Sequence, residues 1–408
     1  MTALSTHRRT GTLVLLGLTI FSLPVFGSLT ELEKSADAFR NQTRKHISEH
    51  SGAAIGTPAE KALRMALKDL DQINLTEAPP VKRALLQRKL WELFDWSAAL
   101  IPRDWDERTQ VDEASHRALQ IDLAKGIERL ALSRKEITNL PNPYQLTLKG
   151  NETPDQCQPD EPFASYLPRQ LFNPDSPWVE LNRPRHLLVA RFHSESSNWR
   201  SAFHVLIEVA GGRGKTLDYL KRLNAFEAQW VTKEPDATLR HRVLPNGGIH
   251  DVSAFVNPET PQFPPMTRFA LVERALLIDQ KGQLVSSPLI LNVQLRTYLQ
   301  VDPAKPSHAV AEWVLSGDQT KLRPLTMDDL TESHGHQHPR LRTCFTCHSG
   351  WGIHSVNTRS QLFEPRTVMV PKLEACRDDE EVPNASIQAK RRAYSWGLLQ
   401  GLWRSNHR

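Results

Sequence analysis

FALVERALLI (269–278), DQKG (279–282) and LVSSPLILNVQLRTYL (284–299) decide the fold class of this chain. Two long runs rich in Val, Leu and Ile flank a short polar turn with a glycine, which predicts an antiparallel pair of strands. Shorter apolar runs upstream, Leu187 to Ala190 and Phe203 to Val209, predict more strands, with a short helix at Thr216 to Leu223. Together they outline a β-rich domain over residues 151–310, entered through a Pro- and Asp-rich loop near residues 150–185.

Before that loop the texture is helical, over residues 28–150. Thr57-Pro58-Ala59-Glu60 reads as a capping box with proline at the first helical position, and Leu63, Leu67 and Leu70 follow at helical spacing. Pro79 and Pro80 precede a second stripe of Leu86, Leu90 and Leu93 beside Trp91 and Phe94. Leu119, Leu123, Ile127 and Leu130 make a third stripe, and Ser133 with Glu136 caps one further turn. His46, His50 and His116 are expected on solvated faces.

Composition narrows the function classes. With 24% charged residues of both signs and a formal charge of +5, the 408-residue chain has a mixed surface, not a nucleic-acid stripe. Gly211-Gly212-Arg213-Gly214-Lys215-Thr216 imitates the end of a phosphate-binding loop, but that pattern needs glycine where Val209 stands, so no nucleotide is expected. No G-x-S-x-G elbow and no H-E-x-x-H pair occurs. His193, His204, His241 and His250 lie in or near the strand region and read as surface or satisfied core histidines. No internal repeat is evident.

The chemistry-bearing motif is Cys344-Phe345-Thr346-Cys347-His348. Two thiols three residues apart can add across the two vinyl groups of one porphyrin edge, and the histidine directly after them can bind the iron from below. With 4 Cys and 16 His in the chain, chance placement would yield this pattern roughly 0.002 times, so coincidence is a poor explanation. Two other readings use the same residues. A zinc site would combine Cys344 and Cys347 with His334, His336 or His338, and a redox dithiol would use the cysteines alone.

On CFTCH the chain resembles the c-type cytochromes. The resemblance covers the attachment motif and the final helix, roughly the last 70 residues. It implies one covalent haem c on Cys344 and Cys347, with His348 as proximal iron ligand. Small soluble cytochromes carry a helix just before the cysteines; here His338-Pro339-Arg340-Leu341-Arg342-Thr343 does not read as one. The haem is therefore expected to rest against the middle domain. The layout also resembles exported bacterial haem proteins with a single C-x-x-C-H late in the chain.

For the sixth iron position Met369 is the favoured ligand, being the only methionine after the motif. His354, one of His334, His336 and His338, or an open position are the alternatives. Phe345, Trp351, Ile353 and Phe363 offer a partial apolar niche. A final helix from Ala385 to Trp403 places Trp396, Leu399 and Trp403 on one side, and its basic Lys390-Arg391-Arg392 would meet haem propionates or a partner, or simply be solvated.

The compartment agrees with haem c. Arg8 and Arg9, the apolar stretch Leu13 to Phe26 and a small-residue cut after Gly27 read as a signal peptide over residues 1–27. Its loss removes two arginines and no acid, so the charge falls from +5 to +3. The mature protein is expected to be periplasmic or otherwise exported, and not membrane-spanning. Cys157 and Cys376 remain, an even pair for which a disulfide is plausible in an oxidising compartment.

The expected fold is α+β: a helical domain, a β-rich antiparallel domain and a cytochrome c-like haem-binding segment over residues 311–408 that ends in a helix. The expected function is that of a monohaem electron carrier serving a redox partner protein. The rival classes are a haem oxidoreductase or peroxidase-like enzyme with an open distal site, and a surface binding or sensor module with a structural haem or zinc.

Overall fold

In the computed structural model the described residues are 23–49, 55–99, 113–150, 166–182, 188–226, 231–233, 241–243, 249–251, 254–256, 259–302, 307–325, 351–356, 373–376 and 378–405. They combine helices with an antiparallel sheet, the α+β class the sequence predicts. Contacts divide the chain into two units, one of residues 1–79 and 102–122, the other of residues 80–101 and 123–408. The division runs through the helical segment rather than at residue 150.

The first unit holds α1 (Leu23–Glu49), α2 (Pro58–Leu70) and the start of α4 (Glu113–Arg129). Leu29, Leu32, Ala36 and Phe39 are fully buried, as is Leu63, with Leu67 and Leu70 nearly so. Thr57 caps α2 through Glu60 N at 3.3 Å, but the box does not close as expected: the Glu60 carboxylate takes Gly56 N instead of Thr57 N. Arg64 Nε bonds Asp122 at 2.8 Å. The cut expected after Gly27 falls within α1.

The second unit is built on a seven-stranded antiparallel sheet of β1 (Val179–Asn182), β2 (Ser201–Glu208), β7 (Thr267–Ile278), β8 (Leu284–Gln300), β9 (Ser307–Leu315), β10 (Leu322–Pro324) and β11 (Glu374–Ala375). Its order is β10-β9-β8-β7-β2-β1-β11. Short pairs β3 (Val231–Lys233) with β6 (Ala254–Val256) and β4 (His241–Val243) with β5 (Ile249–Asp251) lie outside that sheet. The β7–β8 hairpin is the one the opening stretch predicts, and it forms the centre of the sheet. Asp279 closes its turn: the carboxylate accepts from Lys281 N and Gln283 N, and Gly282 takes φ +71°, a left-handed conformation that glycine adopts without strain. The sheet continues past residue 310 through β9 and β10 and gains β11 from the chain after residue 372. One strand differs from expectation. Leu188 to Ala190 are not extended but lead into α7 (Arg191–Ser196), and the strand falls on Val179–Asn182 instead.

Alternation along the strands supplies two apolar faces. On one, Val179, Leu181, Val205, Ile207, Phe269 and Tyr298 meet α8 (Arg213–Ala225) through Tyr219, Leu220 and Leu223. On the other, Leu206, Ala270, Val272, Val293 and Trp313 meet Tyr144 of α6 (Pro143–Gly150) and Leu167 and Leu171. At the hairpin end Leu277 and Val285 pack on Ala84 of α3 (Pro80–Ala99) and Ile137 of α5 (Arg134–Thr138), where Ser133 and Glu136 form the expected capping box.

The expected terminal helix is two, α9 (Glu381–Arg391) and α10 (Tyr394–Ser405). Its apolar side is buried as predicted at Trp396, Leu399 and Trp403. That side meets α3 and the hairpin: Trp396 lies 6.0 Å from Trp91, and Gln400 Nε2 donates to Gly282 O at 2.9 Å. Among the described residues no helix is long and apolar enough to cross a membrane.

Candidate functional site

Cys344, Cys347, His348 and Met369 lie outside the described residues, as do His334, His336, His338, Phe345, Phe363 and Cys157. Their flanks are described. Five residues after His348 the chain enters a helical turn at 353–356, in which Ile353, His354 and Ser355 are fully buried. Ile353 belongs to the cluster on the α8 face, and Ile353 N donates to Gln262 Oε1 at 2.9 Å. Ser355 Oγ pairs with Tyr298 Oη, itself packed on Phe263 and Phe269. The Trp351 and His354 rings are 5.1 Å apart.

Four residues after Met369 the chain is anchored again. Leu373 is fully buried in the same cluster, and Asn224 of α8 pairs with its backbone both ways, Nδ2 to Leu373 O at 2.7 Å and Leu373 N to Oδ1 at 3.0 Å. Ile353, one residue of the predicted apolar niche, thus sits on the α8 face. The terminal helix does not join it, because its aromatic side is occupied by α3 and the hairpin turn.

Two buried polar groupings in this unit were not legible as such. In the first, His204 of β2 is fully buried and its Nδ1 lies 2.6 Å from Glu180 Oε1 of β1. It is a satisfied core histidine at that nitrogen, as the sequence predicts. Cys376, next to β11, is a free thiol, and Cys157, its expected disulfide partner, lies outside the described residues. Burial pushes its pKa up, and Glu180, Glu381 and Asp378 add to the effect by repelling a thiolate.

In the second, Lys390 is fully buried rather than solvated or free to meet a haem propionate. Its Nζ donates to Asp95 Oδ1 and Oδ2, at 2.8 Å each, and lies 5.0 Å from the Trp91 ring centroid. Arg200 Nη1 donates to the same carboxylate at 2.8 Å. Burial lowers the Lys390 pKa to about 8 against the pull of Asp95, and Arg200 lowers it further. Nearby, Arg88 bonds Ser201 Oγ at 2.8 Å and Leu276 O at 3.1 Å, and burial takes its pKa down to about 10. These are structural ties between α3, β2, β7 and α9. Their partners stand up to 295 residues apart, so no local pattern announces them.

The loop that imitates a phosphate cradle has its own internal bonds. Thr216 Oγ1 accepts from Val209 N at 3.0 Å and donates to Gly212 O at 3.1 Å, closing the strand-to-helix turn. His193 is half-buried, 5.6 Å from Phe203, and desolvation lowers its pKa. Side chains of His241 and His250 are outside the described residues. Among the described residues no group of three or more His, Cys, Asp or Glu is placed to hold a metal ion. No family model matches the chain, and neither a curated protein nor a solved structure matches it.

Proposed function

We propose that this protein is an exported monohaem c-type cytochrome-like carrier that passes single electrons to or from a redox partner protein. The observation that carries the reading is CFTCH at 344–348, followed after four residues by a segment buried on the α8 face of the sheet. The donor set fits haem c: two thiols at thioether spacing and an adjacent imidazole. Cys344 and Cys347 would hold the ring, His348 the iron, and Met369 the sixth position. A haem held by these residues would supply a one-electron couple, and apolar surroundings would favour its less charged, reduced state. The leader-like N-terminus supports export, where haem c is attached.

The test is expression in a periplasm with haem-attachment machinery, followed by a pyridine haemochrome spectrum. A covalent c-type signature in the wild type that vanishes in Cys344→Ala/Cys347→Ala is the expected result. A colourless protein carrying one zinc overturns the reading. Added carbon monoxide then separates the carrier, whose filled sixth position resists it, from a haem oxidoreductase with an open distal site.

A further inference from the structure

Arg296 of β8 is only 6% exposed, yet among the described residues its guanidinium has neither an ion pair nor a hydrogen-bond partner. Buried cations are ordinarily paired, because taking an uncompensated charge out of water is costly. Other arginines of this unit keep the rule: Arg200 bonds Asp95, Arg268 bonds Glu208, and Arg88 bonds Ser201 and Leu276 O. A buried polar group without a partner calls for an explanation, and a bound ion is one. Arg274 Nε is sealed from solvent, whereas no nitrogen of Arg296 is, so the Arg296 fork keeps an open edge.

Side chains alternate along β8, so Arg296 shares the α8 face of the sheet with Tyr298. It stands opposite Phe269 of β7 and Val310 of β9. Two imidazoles feel its charge: His193 of α7, whose ring is 5.6 Å from Phe203, and His308 of β9, whose ring is 5.8 Å from Tyr298. Desolvation lowers the pKa of both; Glu273 draws His193 back up, and Arg296 lowers each. Both rings are thereby held neutral near neutral pH and add no second cation. The acids of the adjacent strands are engaged elsewhere. Glu273 accepts from Ser201 Oγ at 2.7 Å with Arg88 3.7 Å away, and Glu312 accepts from Asn292 Nδ2.

We infer that Arg296 anchors a binding site for a small carboxylate on this face of the sheet. A planar guanidinium fork meets a carboxylate through two parallel hydrogen bonds. Charge selects this class over phosphate, since one cation beside neutral imidazoles and Glu273 compensates a monoanion and not a dianion. Phe203 and Leu271, both half-buried on the same face, offer apolar surface to the body of such an acid. The inference does not rest on the haem reading. A free acid and a haem propionate share the chemistry, and the test separates them.

Full-length protein is titrated with benzoate, acetate and inorganic phosphate by calorimetry, as wild type, Arg296→Lys and Arg296→Met, and thermal unfolding is read on each. Benzoate is expected to bind more tightly than phosphate and to weaken at least about tenfold in Arg296→Met. Arg296→Lys keeps the charge but loses the fork, and should fall between. Without ligand, Arg296→Met should unfold no lower than wild type, because the cation it replaces is uncompensated. Benzoate binding unaltered in Arg296→Met, or phosphate binding tighter than benzoate, overturns the proposal. An Arg296→Met protein that fails to fold, or unfolds below unliganded wild type, reveals a structural tie and overturns it equally. The titrations are repeated with Cys344→Ala/Cys347→Ala, which cannot hold haem covalently. Benzoate binding with and without that change assigns a free acid, and binding only with it assigns a haem propionate. Binding in neither overturns the site.

Discussion

Lys390 Nζ lies 2.8 Å from each carboxylate oxygen of Asp95, a contact between α9 and α3 that spans 295 residues of sequence. With Arg200 on the same carboxylate, the cluster buries two cations against one anion. Its parts are held by ordinary side-chain geometry, and it ties the C-terminal helices to the sheet unit. Removing Asp95 strands both cations without that counter-charge, leaving Lys390 Nζ the Ser395 hydroxyl at 3.3 Å. Asp95→Ala is expected to cost about 3–5 kcal/mol, whereas Lys390→Met costs less because Arg200 still pairs with Asp95. Chemical denaturation of both variants checks the order; equal losses contradict it.

The same lysine predicts a pH dependence. Its folded pKa of about 8 lies below the ordinary 10.5, so between these values the unfolded chain binds the proton that the folded one has lost. Stability from this group therefore rises as pH climbs through about 8 toward 10.5. Cys376 works against it, since its raised pKa makes the unfolded thiol ionise first. The comparison is wild type against Lys390→Met by thermal unfolding at about pH 7.5 and 9. The wild type should gain relative to the variant; a constant difference refutes the assignment.

Gly282 tests the hairpin that opens the sequence reading. At φ +71°, with Gln400 and Trp403 atoms 3.4 Å from where a Cβ would stand, an alanine there is both strained and crowded. Gly282→Ala is expected to lose about 1–2 kcal/mol, measured by urea unfolding. A neutral result means the turn relaxes without disturbing α10.

Cys376 should behave as a protected thiol. Burial and its acidic neighbours hold it protonated, so a thiol reagent at about pH 8 should label it slowly in the native protein. Glu180→Gln removes the acidic partner that contributes most and should speed the labelling. Equal rates before and after that change assign the protection to burial alone.

Met369→Ala separates the distal-ligand readings. With thioether ligation, the variant should lose the thioether-to-iron absorption feature, bind carbon monoxide, and show a lower midpoint potential. An unchanged spectrum shifts the assignment to a histidine or to an open position.

Much of this protein was legible without coordinates. Strong β-forming runs on either side of DQKG specify a hairpin because alternation and turn chemistry act over a few residues, and Ser133 with Glu136 specify a cap for the same reason. CFTCH is legible as a motif because its residues stand in immediate succession. Where partners are remote, the sequence was silent or misleading. The apolar run ending at Ala190 lacks a strand neighbour and gives way to α7, while β1 forms at 179–182, where β2 and β11 offer backbone partners. Lys390 reads as part of a solvated basic run, yet Asp95 draws it into the core. Gln262 and Asn224 carry no motif at all; their pairing with Ile353 and Leu373 exists only once the sheet has brought four distant segments to one face. Local periodicity and caps were determined by the sequence alone, as was the presence of the CFTCH motif. Which charges are buried, which strand lies beside which, and where Ile353 and Leu373 are pinned were decided by tertiary packing, because each depends on contacts between residues that no short window of sequence contains.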